Sequence, residues 1–549
     1  MNRVSRWMKN GAGTFGFFVL FCLPGAVETA GGETRVRGTV VDAVTGKRLA
    51  ARIHVNNDRG CAYLVDSVGG MDATYRREPE RLPESSEVHT AVSGHPFEVR
   101  LAPGSYTFRV ERGKEYLSLE KTVTVNTTPV ELTFPLQRWI DMAKRGWYSG
   151  DTHVHRTIAE LAVVMPAEDL NVAFPLTSWV TKADVPPTRG DRSAGSIDAN
   201  IIKLDETHVI FPRNTEYEIF TVGSQRHTLG AVFVLNHQTP LEIGAPPVQP
   251  IARLAREQGA LLDLDKHSWP WSLMLVPVMD VDLFELANNH VWQTRFGFHD
   301  WTIDKVPAEM QLERTADGRG LTEWGWIEFG FKTYYALLNC GFHMRVSAGT
   351  ASGVHPVQVG FGRVYVHLPA GFTPQDWLEG LNAGHSFVST GPMLGVTFNE
   401  RDPGASFKGG AEGFQLEIAG DARAKRPLDR IEIVVNGKVQ ATVVPTNRVE
   451  GHAYVSKVDL RLDLETSSWI AVRCFESHPQ GRVRFAHTNP VFVIVDDKPV
   501  VPEQAEVAFF VNRMKEELER NRAVTPGEAL AEYEQALKAY EAVLRRAYP

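Results

Sequence analysis

Two histidines separated by one residue, His153 and His155, lie in the segment GDTHVH at 150–155. Residues i and i+2 of a β-strand point to the same face, so both imidazoles can reach one ion. Neutral imidazole is the commonest metal ligand in proteins. A His-x-His pair also occurs on exposed strands that bind no metal. The interpretation as a metal site therefore depends on the rest of the chain.

Further histidines and acidic residues follow later apolar runs. The polar residues at these positions are Asp151, Glu216, Glu218, His227, His237, Asp265, Lys266, His267, Glu285, Asn288, His290, His343, Arg345 and His355. Imidazole with carboxylate is a ligand set that suits Zn, Mn or Fe, with water in an open position. Such an ion makes a hydroxide nucleophile near neutral pH and polarises a carbonyl or phosphoryl oxygen. Spacing alone does not separate Glu216 from Glu218, because they share one face of a strand.

Composition limits the class of protein. The chain has 549 residues, which predicts several domains. A net charge of −8 without a basic run gives no reason to expect nucleic-acid binding. Residues 1–30 combine Arg3, Arg6 and Lys9 with the apolar stretch FGFFVLFCL, which predicts a signal peptide. We expect a secreted or periplasmic protein with no membrane association after cleavage.

Patterning along the chain predicts a multidomain α/β plus all-β protein. Residues 31–137 alternate like the short strands of a β-sandwich. Residues 138–395 alternate strand-like runs, at 172–176, 231–235, 260–264 and 281–286, with helical runs such as 250–257. This alternation favours a TIM-like β/α barrel with its functional residues at strand ends. Residues 396–500 return to alternation and predict an Ig-like sandwich, and residues 501–549 predict helices separated at Pro526.

Several motifs in order resemble known families. The segment GWYSGDTHVHRT is similar to the opening motif of the PHP (polymerase and histidinol phosphatase) metallohydrolase superfamily. The later elements EYEIFTVGSQRHTLG, KHSW, DLFELANN and GHSFVSTGPML resemble its CehA/McbA branch, whose type members hydrolyse a carbamate. The segments RGTVVDAVTGKRLAARIHV and LAPGSYTFRV resemble a carboxypeptidase-regulatory-like module, which acts as a spacer or docking platform.

The PHP resemblance implies a metal site and its ligands. His153 and His155 match the opening ligand pair, and Glu216 or Glu218 matches the bridging carboxylate. His227 falls where the family has a histidine after that glutamate, with His237 as the competing candidate. His267 matches a further ligand histidine. We expect one or two divalent ions, Zn or Mn, with Fe as the alternative.

Two departures from the family pattern reduce the expected number of ions. The family commonly has Thr-Asp-His-Asn after its second strand, where this chain has TSWV at 177–180. The family also has Gly-Ser-Asp-x-His at the end of its barrel, where this chain has GTASG at 349–353. Ala351 and Gly353 thus replace the aspartate and histidine. The resemblance therefore implies a distorted β/α barrel that has lost one metal position and holds one or two ions instead of three.

The remaining polar residues predict contacts with a substrate. Lys266 and Asp151 are interpreted as catalytic, because a lysine beside a metal ligand can stabilise developing negative charge. The predicted substrate-binding residues are Arg345, His355, Glu285 and Asn288. The favoured function is an exported metal-dependent hydrolase of an ester, amide or carbamate bond in a small-molecule or polymer-derived substrate. The alternatives are a phosphoesterase and a degenerate, non-catalytic barrel that binds a glycan or peptide.

Overall fold

The computed structural model describes residues 32–76, 88–189, 197–293, 296, 306, 308–476 and 478–548. The predicted signal peptide at residues 1–30 lies outside these ranges. Within them, no helix combines the length and apolar character that a membrane crossing needs. The predicted mixture of α/β and all-β regions is confirmed by the order of the elements.

The N-terminal region is all-β. Its strands are β1 (Thr34–Asp42), β2 (Ala51–Asn57), β3 (Ala62–Tyr63), β4 (Asp66–Ser67), β5 (Asp72–Arg76), β6 (Val88–Val92), β7 (Phe97–Leu101), β8 (Gly104–Glu111), β9 (Leu119–Val125) and β10 (Val130–Leu136). One sheet has the order β10-β1-β7-β4, and the other has the order β5-β6-β2-β8-β9. Alternate residues of β1 and β8 are buried, and they share an apolar core that includes Phe97, Phe108 and Phe134.

The middle region alternates strands and helices. Its elements are β11 (Trp147–Val154), α1 (Ile158–Ala167), β12 (Val172–Pro175), β13 (Ser178–Lys182), β14 (Thr188–Arg189), β15 (Ile202–Lys203), β16 (Val209–Ile210), β17 (Asn214–Val222), β18 (Gln225–Leu235), α2 (Gln249–Glu257), β19 (Leu261–Leu264), α3 (Ser272–Met279), β20 (Leu283–Ala287), α4 (Glu323–Asn339), β21 (Arg345–Ala348), β22 (Arg363–His367), α5 (Pro374–Ala383) and β23 (Ser386–Ser389), with short 3-10 turns at Ala143–Arg145 and Ala308–Met310.

The C-terminal region is β-rich and ends in two helices. Its elements are β24 (Met393–Phe398), β25 (Ser406–Gly409), β26 (Phe414–Ala424), β27 (Leu428–Val435), β28 (Lys438–Val443), β29 (Arg448–Glu450), β30 (Ala453–Leu464), β31 (Ser468–Glu476), a 3-10 turn at Pro479–Gly481, β32 (Arg484–Thr488), β33 (Val491–Val495), α6 (Gln504–Asn521) and α7 (Gly527–Leu544). The helices pack on each other and on α3 of the middle region.

Two sheets meet in the middle region. One has the order β14-β13-β17-β18-β19-β20-β21. The other contains β11, β12 and β22 and continues through β23 into β32, β31 and β27 of the C-terminal region. The loop after β21 joins the two sheets, because Ala351 N donates to His153 O over 2.7 Å and His155 N donates to Ser352 O over 2.8 Å.

The middle region departs from repeated parallel β/α units. Strands β17 and β18 form an antiparallel hairpin, and β18 also pairs antiparallel with β19. The chain turns directly at Gly223 and Ser224, with no helix between the two strands. The expected boundary at 395/396 is not a break in the sheet, since Ser389 of β23 pairs with Ala486 of β32.

Candidate metal centre

His153 and His155 lie at the carboxyl end of β11 and approach each other through their ring edges. Their Nε2 atoms are 3.2 Å apart. Directly after them the chain enters α1 through a capping box, in which Thr157 and Glu160 bond each other's backbone N–H. The cap fixes the direction in which the chain leaves the strand. The two imidazoles are therefore held at one point by the strand on one side and the capped helix on the other.

Glu216 of β17 completes a triad with the two histidines. Its Oε2 lies 3.4 Å from His155 Nε2, and one ligand atom from each residue lies within 4.8 Å of the others. Two ligands bound tetrahedrally to zinc at its usual distances are about 3.4 Å apart. The His153–His155 and His155–Glu216 separations therefore match two edges of one coordination tetrahedron.

Sheet register explains why carboxylates gather beside these histidines. Glu216 pairs across the sheet with Phe233, and Phe233 pairs with Asp263. Glu218 lies two residues further along β17, and Asp265 lies two residues beyond Asp263. Since cross-strand partners point to the same face, this face carries a row of carboxylates on each side of Phe233. The ring of Phe233 contacts the ring of His153, with 4.4 Å between their centroids.

Asp265 and Glu285 approach the opposite edge of the His153 ring. His153 Nδ1 lies 3.0 Å from Glu285 Oε2 and 3.6 Å from Asp265 Oδ1. Donation from Nδ1–H to a carboxylate leaves the Nε2 lone pair free to bind an ion. Asp265 also groups with Glu216 and Glu218 within 4.8 Å. We call the whole set, His153, His155, Glu216, Glu218, Asp265 and Glu285, the histidine–carboxylate cluster.

Several buried atoms of the cluster have no hydrogen-bond partner within the described part of the chain. They are His155 Nδ1, Asp265 Oδ1 and Glu285 Oε1. Buried polar atoms are normally satisfied, and exceptions mark strain, a catalytic role or a missing ion or water. The donor set, imidazole nitrogen and carboxylate oxygen, is the one that Zn or Mn takes. The residues therefore fit a divalent cation.

Burial shifts the pKa values of the cluster toward its neutral forms. It raises the pKa of Glu216 and Glu285 well above the ordinary value, with a further contribution from neighbouring carboxylates. Burial also raises the pKa of Glu218 to about 7 and lowers the pKa of His155 to about 3. A cation reverses the preference of the carboxylates, because it stabilises their charged forms.

Lys266 is a fixed cation inside the acidic part of the cluster. It is buried, and its ammonium forms an ion pair with Asp265 Oδ2. Trp269 Nε1 donates to the same oxygen over 2.8 Å. Burial lowers the pKa of Lys266, but the Asp265, Glu218 and Glu285 carboxylates outweigh this and hold it above its ordinary value. One carboxylate of the cluster is therefore neutralised without a metal.

A glycine permits the close approach of the two sheets. A Cβ at Gly349 would lie 2.3 Å from His153 Cβ and 2.9 Å from the Glu285 carboxylate. Any side chain at this position would displace the cluster. Gly349 is therefore required by packing. Ala351 and Gly353 of the same segment supply no ligand atom.

Comparison with known proteins gives little beyond this geometry. No family model matches the chain, and no curated protein matches it. Among solved structures, the chain is similar to a two-domain protein from Bacteroides vulgatus that contains a predicted PHP-like metal-dependent phosphoesterase. The match has 9% sequence identity, covers 63% of this chain and 95% of that chain, and has a TM-score of 0.28.

Two of the predicted catalytic and substrate-binding residues lie at the cluster but have other contacts than expected. Asp151 accepts hydrogen bonds from Thr350 Oγ1 (2.6 Å), Gly360 N (2.8 Å) and His153 N (3.1 Å). These bonds use the carboxylate to hold the strand and the loop, and Asp151 is a positioning residue. Glu285, predicted to bind substrate, lies in a group that could hold the metal itself.

Three of the predicted ligand histidines lie away from the cluster. His227 Nε2 contacts Asn521 Oδ1 of α6 over 2.9 Å. His237 lies between Thr215 Oγ1 and Thr239 O, each 2.8 Å from a ring nitrogen. His267 packs its ring against Trp326 and Phe329 of α4, with centroids 4.6 and 4.5 Å apart. None of the three joins a ligand group among the described residues.

The other predicted substrate-binding residues are spread around the middle region. Arg345 bonds Asp282 and Asn382 at the start of β21, the end of that strand remote from the cluster. Asn288 Oδ1 accepts from Trp326 Nε1 over 3.0 Å. The ring of His355 lies 5.8 Å from that of Trp292, and its charged form would lower the pKa of His153, so it is near the cluster.

The sequence places Asp265 among the polar residues that follow apolar runs but assigns it no ligand role, and it does not single out Asp263. The segment LLDLD at 261–265 alternates, so both carboxylates share a face, and this spacing was the available signal. Asp265 joins the cluster. Asp263 accepts hydrogen bonds from Thr152 Oγ1 (2.8 Å) and Ser347 Oγ (2.7 Å), and thereby ties the two sheets together behind it.

Proposed function

We propose that this chain is a metal-dependent hydrolase whose ion is held by His153, His155 and Glu216. The observation that carries the proposal is the pair of separations, 3.2 and 3.4 Å, that join ligand atoms of buried His153, half-buried His155 and buried Glu216 across two different sheets. Without an ion, a proton on His155 Nε2 would have to bridge the two rings, because Nδ1 of His153 already lies 3.0 Å from a carboxylate; a divalent ion would take the place of that proton and bind both nitrogens.

A divalent ion bound there would supply a water of lowered pKa and would polarise the substrate oxygen. Glu285 orients the His153 ring through Nδ1. Glu218 is the partly exposed carboxylate of the cluster, and we assign it to accept the proton of the attacking water. Lys266 forms an ion pair with Asp265 and places a positive charge near the position where an oxyanion would develop.

The bond that is cleaved follows from the motif order rather than from the geometry. The resemblance of the segments at 145–500 to the CehA/McbA branch of the PHP superfamily supports a carbamate, ester or amide as substrate.

The charge of the signal-like segment supports export, for which we expect a mature N-terminus between residues 25 and 32. Mass spectrometry of the protein from its native host measures this N-terminus, and an intact Met1 would contradict export.

Metal analysis of the purified full chain tests the site. We expect about one ion of Zn or Mn per chain, bound by three protein ligands and with one open position. The double variant His153→Ala/His155→Ala should lose nearly all of it. His452→Ala, a histidine on an exposed turn, is the matched control and should retain the full content. Equal metal content in all three proteins would refute the site.

Turnover separates the hydrolase from a binding module. The metal-loaded protein is assayed with 4-nitrophenyl acetate, 1-naphthyl methylcarbamate and bis(4-nitrophenyl) phosphate, before and after chelation. Metal-dependent release of product from the acetate or the carbamate supports the proposal. Turnover of the phosphodiester alone would replace it with a phosphoesterase, and a tightly held ion without any turnover would favour the non-catalytic module.

A further inference from the structure

A second charged site lies where the three regions of the molecule meet. A cavity of about 340 Å³ is lined by the β8–β9 connection, the segment after β21, the turn between β26 and β27, and strand β32. Its volume lies at the lower end of the range of about 300–1,000 Å³ that is usual for small-molecule sites. None of the histidine–carboxylate cluster lines it.

The lining carries an excess of positive charge. Seven lining side chains are arginine or lysine and three are glutamate. Two of the glutamates, Glu111 and Glu168, are used by Arg52, which forms an ion pair with each of them. Of the remaining cations, Arg112 pairs with Asp169 and Arg484 pairs with Glu323, carboxylates that lie outside the lining. The other four cations of the lining share one glutamate, Glu476, which is itself buried.

Two lysines that line the cavity, Lys114 and Lys425, bind neutral backbone oxygens instead of carboxylates. Lys114 Nζ donates to Thr390 O over 2.7 Å and lies 4.4 Å from the centre of the Phe361 ring. Lys425 Nζ donates to Tyr116 O over 3.0 Å. In the described ranges, no carboxylate lies within 4.0 Å of either ammonium. Each ammonium has three donors, so donors of both lysines stay available to a ligand.

An unsatisfied buried donor points to the same kind of ligand. Arg112 is 9% exposed and lines the cavity, and its Nε has no hydrogen-bond partner in the described structure. Its other nitrogens are satisfied by Ala50 O and Asp169. An orphaned N–H beside unpaired ammonium groups requires an acceptor, and a negatively charged acceptor satisfies both needs.

The pKa values of the lysines agree with this geometry. Burial, together with the neighbouring Arg363, Lys425 and Arg484, lowers the pKa of Lys114 well below its ordinary range. Burial lowers the pKa of Lys425 to about 8. Buried cations that lack a counter-ion are costly, and a bound anion would remove that cost.

We propose that this junction cavity binds a small polyanion, a molecule carrying two or more phosphate, sulfate or carboxylate groups, through Lys114, Lys425 and Arg426. Arg426 is exposed at the cavity and forms no ion pair or hydrogen bond within the described residues. It can therefore close over a ligand without breaking an existing contact. Such a ligand would join the N-terminal, middle and C-terminal regions.

Calorimetric titration of the full chain tests the proposal. The probes are inorganic pyrophosphate and propane-1,2,3-tricarboxylate, which separate phosphate from carboxylate recognition, with inorganic phosphate as the single-group comparison. We expect a multi-group probe to bind more tightly than phosphate. Lys114→Met and Lys425→Met should each weaken binding by about tenfold, since each removes a charge-assisted hydrogen bond. Lys457→Met, an exposed lysine of β30 remote from the lining, should change nothing.

Two further variants keep the result decisive. Arg426→Gln removes a charge from an exposed side chain, so it should fold and should weaken binding several-fold even if the buried variants do not fold. The same titrations are repeated in the His153→Ala/His155→Ala background, where a metal at the cluster cannot bind the probes. Binding that persists there supports the cavity whatever becomes of the proposed hydrolase. Absence of binding by every probe, or equal affinity in wild type and Arg426→Gln, would overturn the proposal.

Discussion

The histidine–carboxylate cluster and the junction cavity are both buried assemblies of charge, and they are opposite in sign. In the cluster, carboxylates crowd together, and burial raises the pKa of Glu216 and Glu285. In the cavity, lysines face backbone oxygens, and burial lowers the pKa of Lys114 and Lys425. Each region lacks the charge that would balance it. An unbalanced buried charge therefore specifies the sign of the ligand's charge before the ligand is identified.

The largest expected effect separates the two glutamates of β17. Glu216→Gln removes the carboxylate that lies 3.4 Å from His155 Nε2 and should weaken metal binding by at least about 100-fold. Glu218→Gln should weaken it by less than about tenfold, because Glu218 groups with Asp265 and not with the two histidines. Competition with a chelating dye measures both affinities. Equal losses would mean that the ion lies nearer the acidic half of the cluster.

The next effect follows from removing Lys266, the buried lysine beside the cluster. Lys266→Met leaves Asp265 without its ion pair, so the acidic half should accept a second divalent ion. We expect the metal content to rise from about one to about two ions per chain, because unpaired buried carboxylates are costly. Elemental analysis after dialysis gives the count. Unchanged content would show that the lysine does not occupy a cation position.

The two regions should also respond to pH in opposite directions. Metal binding needs deprotonated ligands, so its affinity rises with pH. Polyanion binding needs a protonated Lys425, whose pKa is lowered to about 8 by burial and by Arg363, against the carboxylates of Glu476, Glu111 and Glu115. Its affinity should therefore fall by up to about tenfold between pH 7 and pH 9. Titration of pyrophosphate at both pH values measures this, and a rise in affinity would contradict the assignment.

The smallest effect concerns a histidine outside both regions. His227→Ala removes the contact with buried Asn521 and leaves that amide oxygen unpaired. We expect a loss of about 1 kcal/mol in the free energy of unfolding, measured by denaturant titration, with no change in metal content. A fall in metal content would return His227 to the ligand set.

The elements of the fold were largely open to prediction from sequence patterns. The strands expected near residues 172, 231, 260 and 281, the helix at 250–257 and the helix break at Pro526 are all present. Each is a short apolar run bounded by Gly, Pro or polar residues, which is local information. The pairing partners were not open to prediction in this way, because a hairpin and a β/α unit differ in tertiary contacts rather than in local pattern.

The β17–β18 hairpin, formed where a β/α unit was expected, explains why some of the predicted ligands do not lie together. His153, His155 and Glu216 share faces that strand alternation fixes. His227 lies near the start of β18, which runs antiparallel to β17. Phe233, the partner of Glu216, comes six residues later on the same strand. This is about 20 Å along the strand. His267 follows a turn after β19, where alternation no longer sets the direction of a side chain.

The sheet shared by the middle and C-terminal regions limits where the chain can be cut into fragments. One edge of β23 pairs with β32, with Phe387 opposite Thr488 and Ser389 opposite Ala486. A gene fragment that stops at residue 395 would encode every ligand of the cluster yet leave that edge bare. Bare edges recruit strands from other molecules and lead to aggregation. Recombinant fragments for crystallisation or engineering should therefore keep residues 138–548 together, since the C-terminal strands complete the sheet that carries His153.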